Sequence, residues 1–313
     1  MAKTAFIFPG QGSQHPGMAE DIYNHHEGAK ALLDSADEKL NESLTGLMFN
    51  GPEDVLKRTE NAQPALLSAS IALFEMLKEQ GAAPDFTAGH SLGEYSALVA
   101  AGVMSFTDAV QTVRKRGLFM EEAVPAGKGA MSAVMGLERE ELLDITSSIK
   151  DGVVQLANLN APGQIVISGD KEAVEAAGEA AREKGAKRVI PLPVSGPFHS
   201  SLMEPARDKL LAVLEPIQFE HSSVPVITNV NAKEETRGEI LKQKLIEQVT
   251  SPVYWEDSVR RMIELGVTKF VEVGSGNVLS GLVRRVQRRG IEVHSVQDMA
   301  SLEKTVSKLK GES

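Results

Sequence analysis

Short apolar runs and longer segments of helical period alternate along most of the chain, the pattern of a mostly parallel α/β sheet whose strands are joined by helices. The first apolar run, residues 4–8, stops at Pro9-Gly10-Gln11-Gly12-Ser13-Gln14. Helical segments follow to about Gln80, and the mostly apolar stretch 64–77 predicts a buried helix. A second strand is predicted over 82–88. It leads into Gly89-His90-Ser91-Leu92-Gly93, and helices are expected over 94–101 and 106–122.

From about Gly129 the order of elements changes. The patterning predicts a strand at 130–135, a helix at 138–148, strands at 153–158 and 164–168, an amphipathic Ala- and Glu-rich helix at 171–184, and a strand at 187–192. This is β-α-β-β-α-β, the split order of a ferredoxin-like unit. Pro125-Ala126-Gly127 and the segment 191–197 bracket it as hinges. The expected organisation is a large α/β-hydrolase-like domain, residues 1–127 and 197–313, carrying an inserted subdomain, residues 128–196. Its remaining elements are a helix at 204–214, a strand at 224–228, a helix at 255–265, and a buried strand at 269–273 leading into Gly274-Ser275-Gly276 and a last helix.

At 313 residues, with 42% hydrophobic positions, the chain is long enough to bury such a core. Its formal charge of −10 argues against nucleic acid or an anionic membrane as principal partner, because both reward a basic face. The absence of cysteine excludes disulfides, thiolate metal sites and a cysteine nucleophile, and no metal site is expected. The first apolar run is too short for a signal-peptide core or a membrane span, so a cytoplasmic location is expected.

Gly89-His90-Ser91-Leu92-Gly93 fits G-x-S-x-G, in which a strand turns sharply into a helix with the serine at a strained corner. A hydroxyl there stands at a helix N-terminus, where the N–H of Leu92 and the helix dipole stabilise an oxyanion. The competing reading is an ordinary glycine-lined turn. Among seven histidines, His90 is a poor base for Ser91, since adjacent side chains diverge at a tight turn. His199 follows the apolar loop Val194-Ser195-Gly196-Pro197-Phe198, where a partly desolvated imidazole would sit between the two units, although spacing alone leans slightly toward a core or capping histidine. If Val110, Val113 and Leu118 mark the buried face of the 106–122 helix, Arg116 lies near its edge. It is then either a solvated cation or a guanidinium aimed at a substrate carboxylate. The Gly10–Gln14 loop lacks the third glycine of a dinucleotide fingerprint, since His15 stands there. It reads better as a tight turn whose Gln11 N–H supplies a second oxyanion donor.

Four motifs, Pro9–Gln14, Gly89-His90-Ser91-Leu92-Gly93-Glu94-Tyr95, Arg116-Gly117 and Gly196-Pro197-Phe198-His199-Ser200, occur in the order found in one family. Through them the sequence closely resembles the malonyl-CoA:acyl carrier protein transacylases of bacterial fatty acid synthesis, and also the acyltransferase domains of polyketide synthases. The resemblance runs nearly end to end and takes in Asn160-Ala161-Pro162-Gly163-Gln164 at the inner turn of the insertion. It implies a ping-pong reaction with malonyl-CoA and acyl carrier protein as partners, no cofactor beyond the CoA thioester substrate, and a monomer. Ser91 is then the nucleophile, His199 the base, Gln11 and Leu92 the oxyanion donors, and Arg116 the holder of the malonyl carboxylate. A backbone carbonyl, matched by Gln248, would orient the histidine. No acidic residue between Ser91 and His199 sits in a triad motif, so a dyad is expected. Asn160, Gln164 and Phe198 are candidate substrate contacts. Two exposed-looking basic clusters, Arg284-Arg285 with Arg288-Arg289, and Lys184 with Lys187 and Arg188, are candidates for docking an acidic carrier protein. The rival readings are a trans-acting polyketide acyltransferase, a serine esterase or thioesterase, and a non-catalytic scaffold.

Overall fold

The computed structural model describes residues 2–194, 196–222 and 224–311. Among them, ten strands form: β1 (Lys3–Phe8), β2 (Phe86–Gly89), β3 (Gly129–Met135), β4 (Val154–Ala161), β5 (Gln164–Asp170), β6 (Arg188–Pro191), β7 (Val226–Ile227), β8 (Glu234–Glu235), β9 (Val267–Val273) and β10 (Glu292–Val296). They divide into two sheets, ordered β10-β9-β1-β2-β7-β8 and β4-β5-β3-β6.

The larger sheet is parallel except for its β7–β8 edge. β1 lies at its centre, and Ala5 to Phe8 are all fully buried, which is why it reads as a continuous apolar run. Alternate side chains serve opposite faces. Phe6 and Phe8 meet Phe74 edge-on, within the core shared with the helix Thr59–Glu79. Ala5 and Ile7 point the other way, toward Trp255, Phe270, Leu279 and Val283. The sheet is therefore covered on both faces, as parallel sheets require.

The smaller sheet is wholly antiparallel. Val134, Leu156, Ile165 and Ile167 bury one face against the helices Arg139–Ser148 and Lys171–Glu183. Met131, Ala157 and Val166 join the core of the larger unit instead. The period-2 alternation of β5 thus points Ile165 and Ile167 to one partner and Val166 to the other. At the seam, Val253 forms a parallel bridge with Asn158 of β4.

The α/β architecture with its ferredoxin-like inserted sheet agrees with the patterning, but several elements differ. The second strand begins at Phe86, not near residue 82; Pro84, which has no N–H to give, stands just before it. The strand expected over 224–228 contracts to Val226–Ile227. The helix Gly238–Gln248, the strand β10 and the final helix Met299–Lys310 were not anticipated. β10 is an edge strand with only Val296 buried, so its apolar signal is weak. Leu118 is 40% exposed while Arg116 is buried, which reverses the expected face of the helix Phe106–Glu122 at those two positions. No helix among the described residues is long and apolar enough to cross a membrane.

Candidate active site

The turn from β2 into the helix Leu92–Ala100 is closed by backbone packing. A Cβ on Gly89 would stand 1.8 Å from the carbonyl oxygen of Gly93, and one on Gly93 would stand 2.0 Å from that of Phe8. Only glycine fits either place. Ser91 between them takes φ 52° and ψ −106°, a strained conformation that lifts its hydroxyl out of the turn.

Ser91 Oγ lies 2.7 Å from His199 Nε2. The other ring nitrogen, Nδ1, is 3.0 Å from the carbonyl oxygen of Gln248 and 3.2 Å from that of Ser251. Carbonyls only accept, so Nδ1 carries the proton and Nε2 is left with a lone pair facing the serine hydroxyl. Among the described residues no acidic side chain takes the third position. His199 also has a positive φ of 59° and is almost fully buried. Burial, reinforced by the nearby Arg116 charge, pushes its pKa down to about 3, so the ring is neutral at physiological pH.

Arg116 is buried rather than solvated. Its Nη1 donates to Gln63 Oε1 at 2.9 Å, and its Nη2 donates to Gln248 Oε1 at 2.9 Å and to Ser91 Oγ at 3.1 Å. The guanidinium also stands over the Tyr95 ring, while Nε has no partner among the described residues. Burial lowers its pKa, opposed by Tyr95 and Glu94. Glu94 does not touch the arginine. Its Oε2 accepts from Gln248 Nε2 at 2.6 Å and its Oε1 from the N–H of Asn229 at 3.3 Å, so one amide separates the two charges. Burial raises Glu94 to about 7.

These groups open onto a cavity of about 360 Å³, walled by Gln11, Leu92, Met131, Phe198 and His90 besides Ser91, Arg116 and His199. Leu92 is the first residue of its helix, where N–H groups have no intrahelical acceptor, and Gln11 stands in the turn after β1. Among the described residues neither backbone N–H is committed to another protein group. Asn160 does not line the cavity but bonds His90 Nε2 at 2.8 Å. Gln164 is not brought there either: it faces outward, and its Oε1 accepts from Arg285 at 2.5 Å. Turn residues of a hairpin tip point where the tip packs, and this tip packs on the helix Val278–Val286. Ser195, in the loop before His199, lies outside the described residues.

Sequence reasoning missed Gln63, Glu94 and Asn229. Gln63 left a readable trace, an amide directly before the mostly apolar stretch 64–77, which in a buried setting demands a partner. Asn229 left none, since an Asn after a short strand reads as a turn residue.

A serine on a glycine-closed elbow, hydrogen-bonded to a neutral imidazole and flanked by a buried cation, is an arrangement suited to serine-dependent acyl transfer. Residues 5–310 match the model of the acyl transferase domain family, and the chain belongs to that family. It is 55% identical over 314 residues to the malonyl CoA-acyl carrier protein transacylase of Bacillus subtilis strain 168, covering 100% of this chain and 99% of the relative. It is also similar to the crystal structure of an acyl carrier protein S-malonyltransferase from Vibrio cholerae, with 44% identity, a TM-score of 0.95, and coverage of 97% of this chain and 100% of that one. A malonyl-transacylase solved in complex with a type II polyketide synthase acyl-carrier protein is 43% identical, with a TM-score of 0.95 over 98% of this chain and 100% of the other.

Proposed function

We propose that this protein is a malonyl-CoA:acyl carrier protein transacylase, moving malonyl from CoA to the phosphopantetheine thiol of a carrier protein through a Ser91 acyl-enzyme. The observation that carries the reading is the placement of Ser91 Oγ between His199 Nε2 at 2.7 Å and Arg116 Nη2 at 3.1 Å inside one cavity. A nucleophile, a base and a buried cation at such distances suit an acyl group that ends in a carboxylate.

In the first half-reaction Ser91 Oγ attacks the thioester carbonyl as His199 Nε2 takes its proton. The oxyanion accepts from the N–H groups of Gln11 and Leu92. Collapse breaks the C–S bond, and His199 returns the proton to the departing CoA sulfur. In the second half-reaction the carrier protein's thiol gives its proton to His199 and attacks the seryl ester, and the serine oxygen leaves with that proton. Gln248 serves twice: its carbonyl fixes the His199 tautomer, and its side chain holds Arg116. Arg116 grips the malonyl carboxylate in a way acetyl cannot repay. Phe198 and His90, the latter held by Asn160 from outside the cavity, shape the wall beside it. The protein is proposed to work without a cofactor as a cytoplasmic monomer, and the cavity, lined by Met131, Asn158 and Leu192 as well as by Ser91 and Arg116, supports reading it as lying between the large unit and the inserted residues 128–196. A trans-acting polyketide acyltransferase would use the same residues, with a different carrier protein.

Intact-protein mass spectrometry after mixing with malonyl-CoA tests the reading. Wild type gains one malonyl unit and Ser91→Ala gains none. A gain that survives the substitution, or no gain in wild type, refutes the covalent intermediate.

A further inference from the structure

The geometry points to Asn229 as the residue that holds the nucleophile turn in its reactive shape, a positioning residue for Ser91 that touches no substrate. This rests on Ser91 being the nucleophile. Asn229 stands one residue beyond Thr228, past the end of β7, and is 1% exposed. Its side-chain amide spans the elbow: Nδ2 donates to the carbonyl oxygen of Gly89 at 2.7 Å, and Oδ1 accepts from the N–H of Ser91 at 2.7 Å. The two bonds run in opposite senses, so the amide fits in one orientation only. Rotated by half a turn, it would set donor against donor and acceptor against acceptor.

Asn229 is itself held at both backbone groups. Its N–H donates to Glu94 Oε1 at 3.3 Å, and its carbonyl accepts from the N–H of Tyr254 at 2.9 Å. Tyr254 follows Val253, which exchanges backbone bonds with Ala157 and Leu159 of β4. The clamp is therefore seated on the segment that joins the two sheets.

Its purpose follows from Ser91. A non-glycine residue at φ 52° and ψ −106° persists only where its surroundings over-determine it. β2 ends at Gly89 and the helix begins at Leu92, so neither element binds the N–H of Ser91. Asn229 does. With that N–H committed, the one facing the cavity beside the hydroxyl is that of Leu92, the donor the mechanism uses. Releasing the clamp leaves two buried backbone groups unpaired and lets Ser91 relax away from His199.

The test compares wild type, Asn229→Ala and Asn229→Asp in single-turnover formation of the malonyl-enzyme, quenched and read by intact mass at about pH 8 and about pH 5.5. Asn229→Ala is expected to acylate about 100-fold more slowly at saturating malonyl-CoA, as loss of two buried hydrogen bonds implies, with the half-saturating concentration unchanged within about threefold. Asn229→Asp keeps the shape and the acceptor for Ser91 but sets a second oxygen against the Gly89 carbonyl. It can donate there only when protonated, so its rate recovers about tenfold toward wild type at the lower pH. Glu94, whose pKa of about 7 lies between the two pH values and whose Oε1 accepts from the N–H of the same residue, titrates too, so the Asn229→Asp profile is also read in a Glu94→Gln background; His199, at about 3, stays neutral at both pH values. The inference is overturned if Asn229→Ala acylates within about threefold of wild type, if the loss lies in the half-saturating concentration, or if the Asn229→Asp deficit does not change with pH. The isosteric variant decides alone where Asn229→Ala does not fold. Failure of wild type to take up malonyl, or uptake by Ser91→Ala, counts instead against the nucleophile reading.

Discussion

Replacing Arg116 by alanine separates the two jobs its guanidinium can do. In the free protein that group bonds Gln63, Gln248 and the Ser91 hydroxyl from a fully buried position. Hydrogen bonds to a charged partner contribute about 1.5–3 kcal/mol each, so a two-bond grip on the malonyl carboxylate is worth about 3–6 kcal/mol. Its loss should lower kcat/KM for malonyl-CoA by roughly 10²–10⁴-fold. The contact with Ser91 Oγ is made whatever the acyl group, so its loss slows malonyl and acetyl loading alike. The informative quantity is therefore the ratio of the two specificity constants. Measured by acyl-enzyme formation from malonyl-CoA and acetyl-CoA, that ratio should collapse by at least about 100-fold in Arg116→Ala. Arg116→Lys, which keeps the charge but loses the planar fork, should fall between. A melting curve on each variant accounts for the two amide oxygens left without a donor. An unchanged ratio would remove Arg116 from carboxylate recognition, however large the common loss.

His199 and the basic clusters give two further tests. The folded pKa of His199, about 3, lies below its ordinary 6.5, so the unfolded chain takes up a proton that the native ring refuses, and stability falls as pH drops from about 6.5 toward 3. Between pH 6.5 and 4.5 this costs about 2 kcal/mol. The melting temperature of His199→Gln should therefore fall less than that of wild type over this window, and parallel curves would contradict a buried neutral ring. Charge reversal at the exposed Arg284, Arg285, Arg288 and Arg289, or at Lys184, Lys187 and Arg188, should raise the KM for acyl carrier protein at one of the two clusters while leaving malonyl-CoA loading unchanged. Equal effects on both half-reactions would exclude a docking role.

Local steric demands were legible in the chain itself. The Gly89–Gly93 spacing announces an elbow because a side chain on Gly89 would meet the Gly93 carbonyl within the turn itself, whereas the close approach of Gly93 to Phe8 belongs to the tertiary fold. The β-α-β-β-α-β order of the inserted sheet was legible for a similar reason: periodicity is written into each segment separately. Short or edge elements were not. β10, with one buried residue, carries too little apolar pattern to read, and the two-residue β7 was legible only as part of a longer expected strand, 224–228.

What needed the tertiary structure was convergence. Gln248 stands 157 residues from Ser91 and Asn229 stands 138, and no local rule places either beneath the elbow. The direction of Arg116 was equally undetermined, since a helix fixes which residues share a face but not what that face meets. Only packing against Gln63 and Gln248 turned it inward and left Leu118 exposed, just as contact with Arg285 holds Gln164 at a hairpin tip outside the cavity. The sequence by itself determined that Ser91 sits in a strained corner at a helix start, because that strain is local. The long-range fold decided which base, cation and clamp surround it, because those contacts exist only when distant segments close on one another.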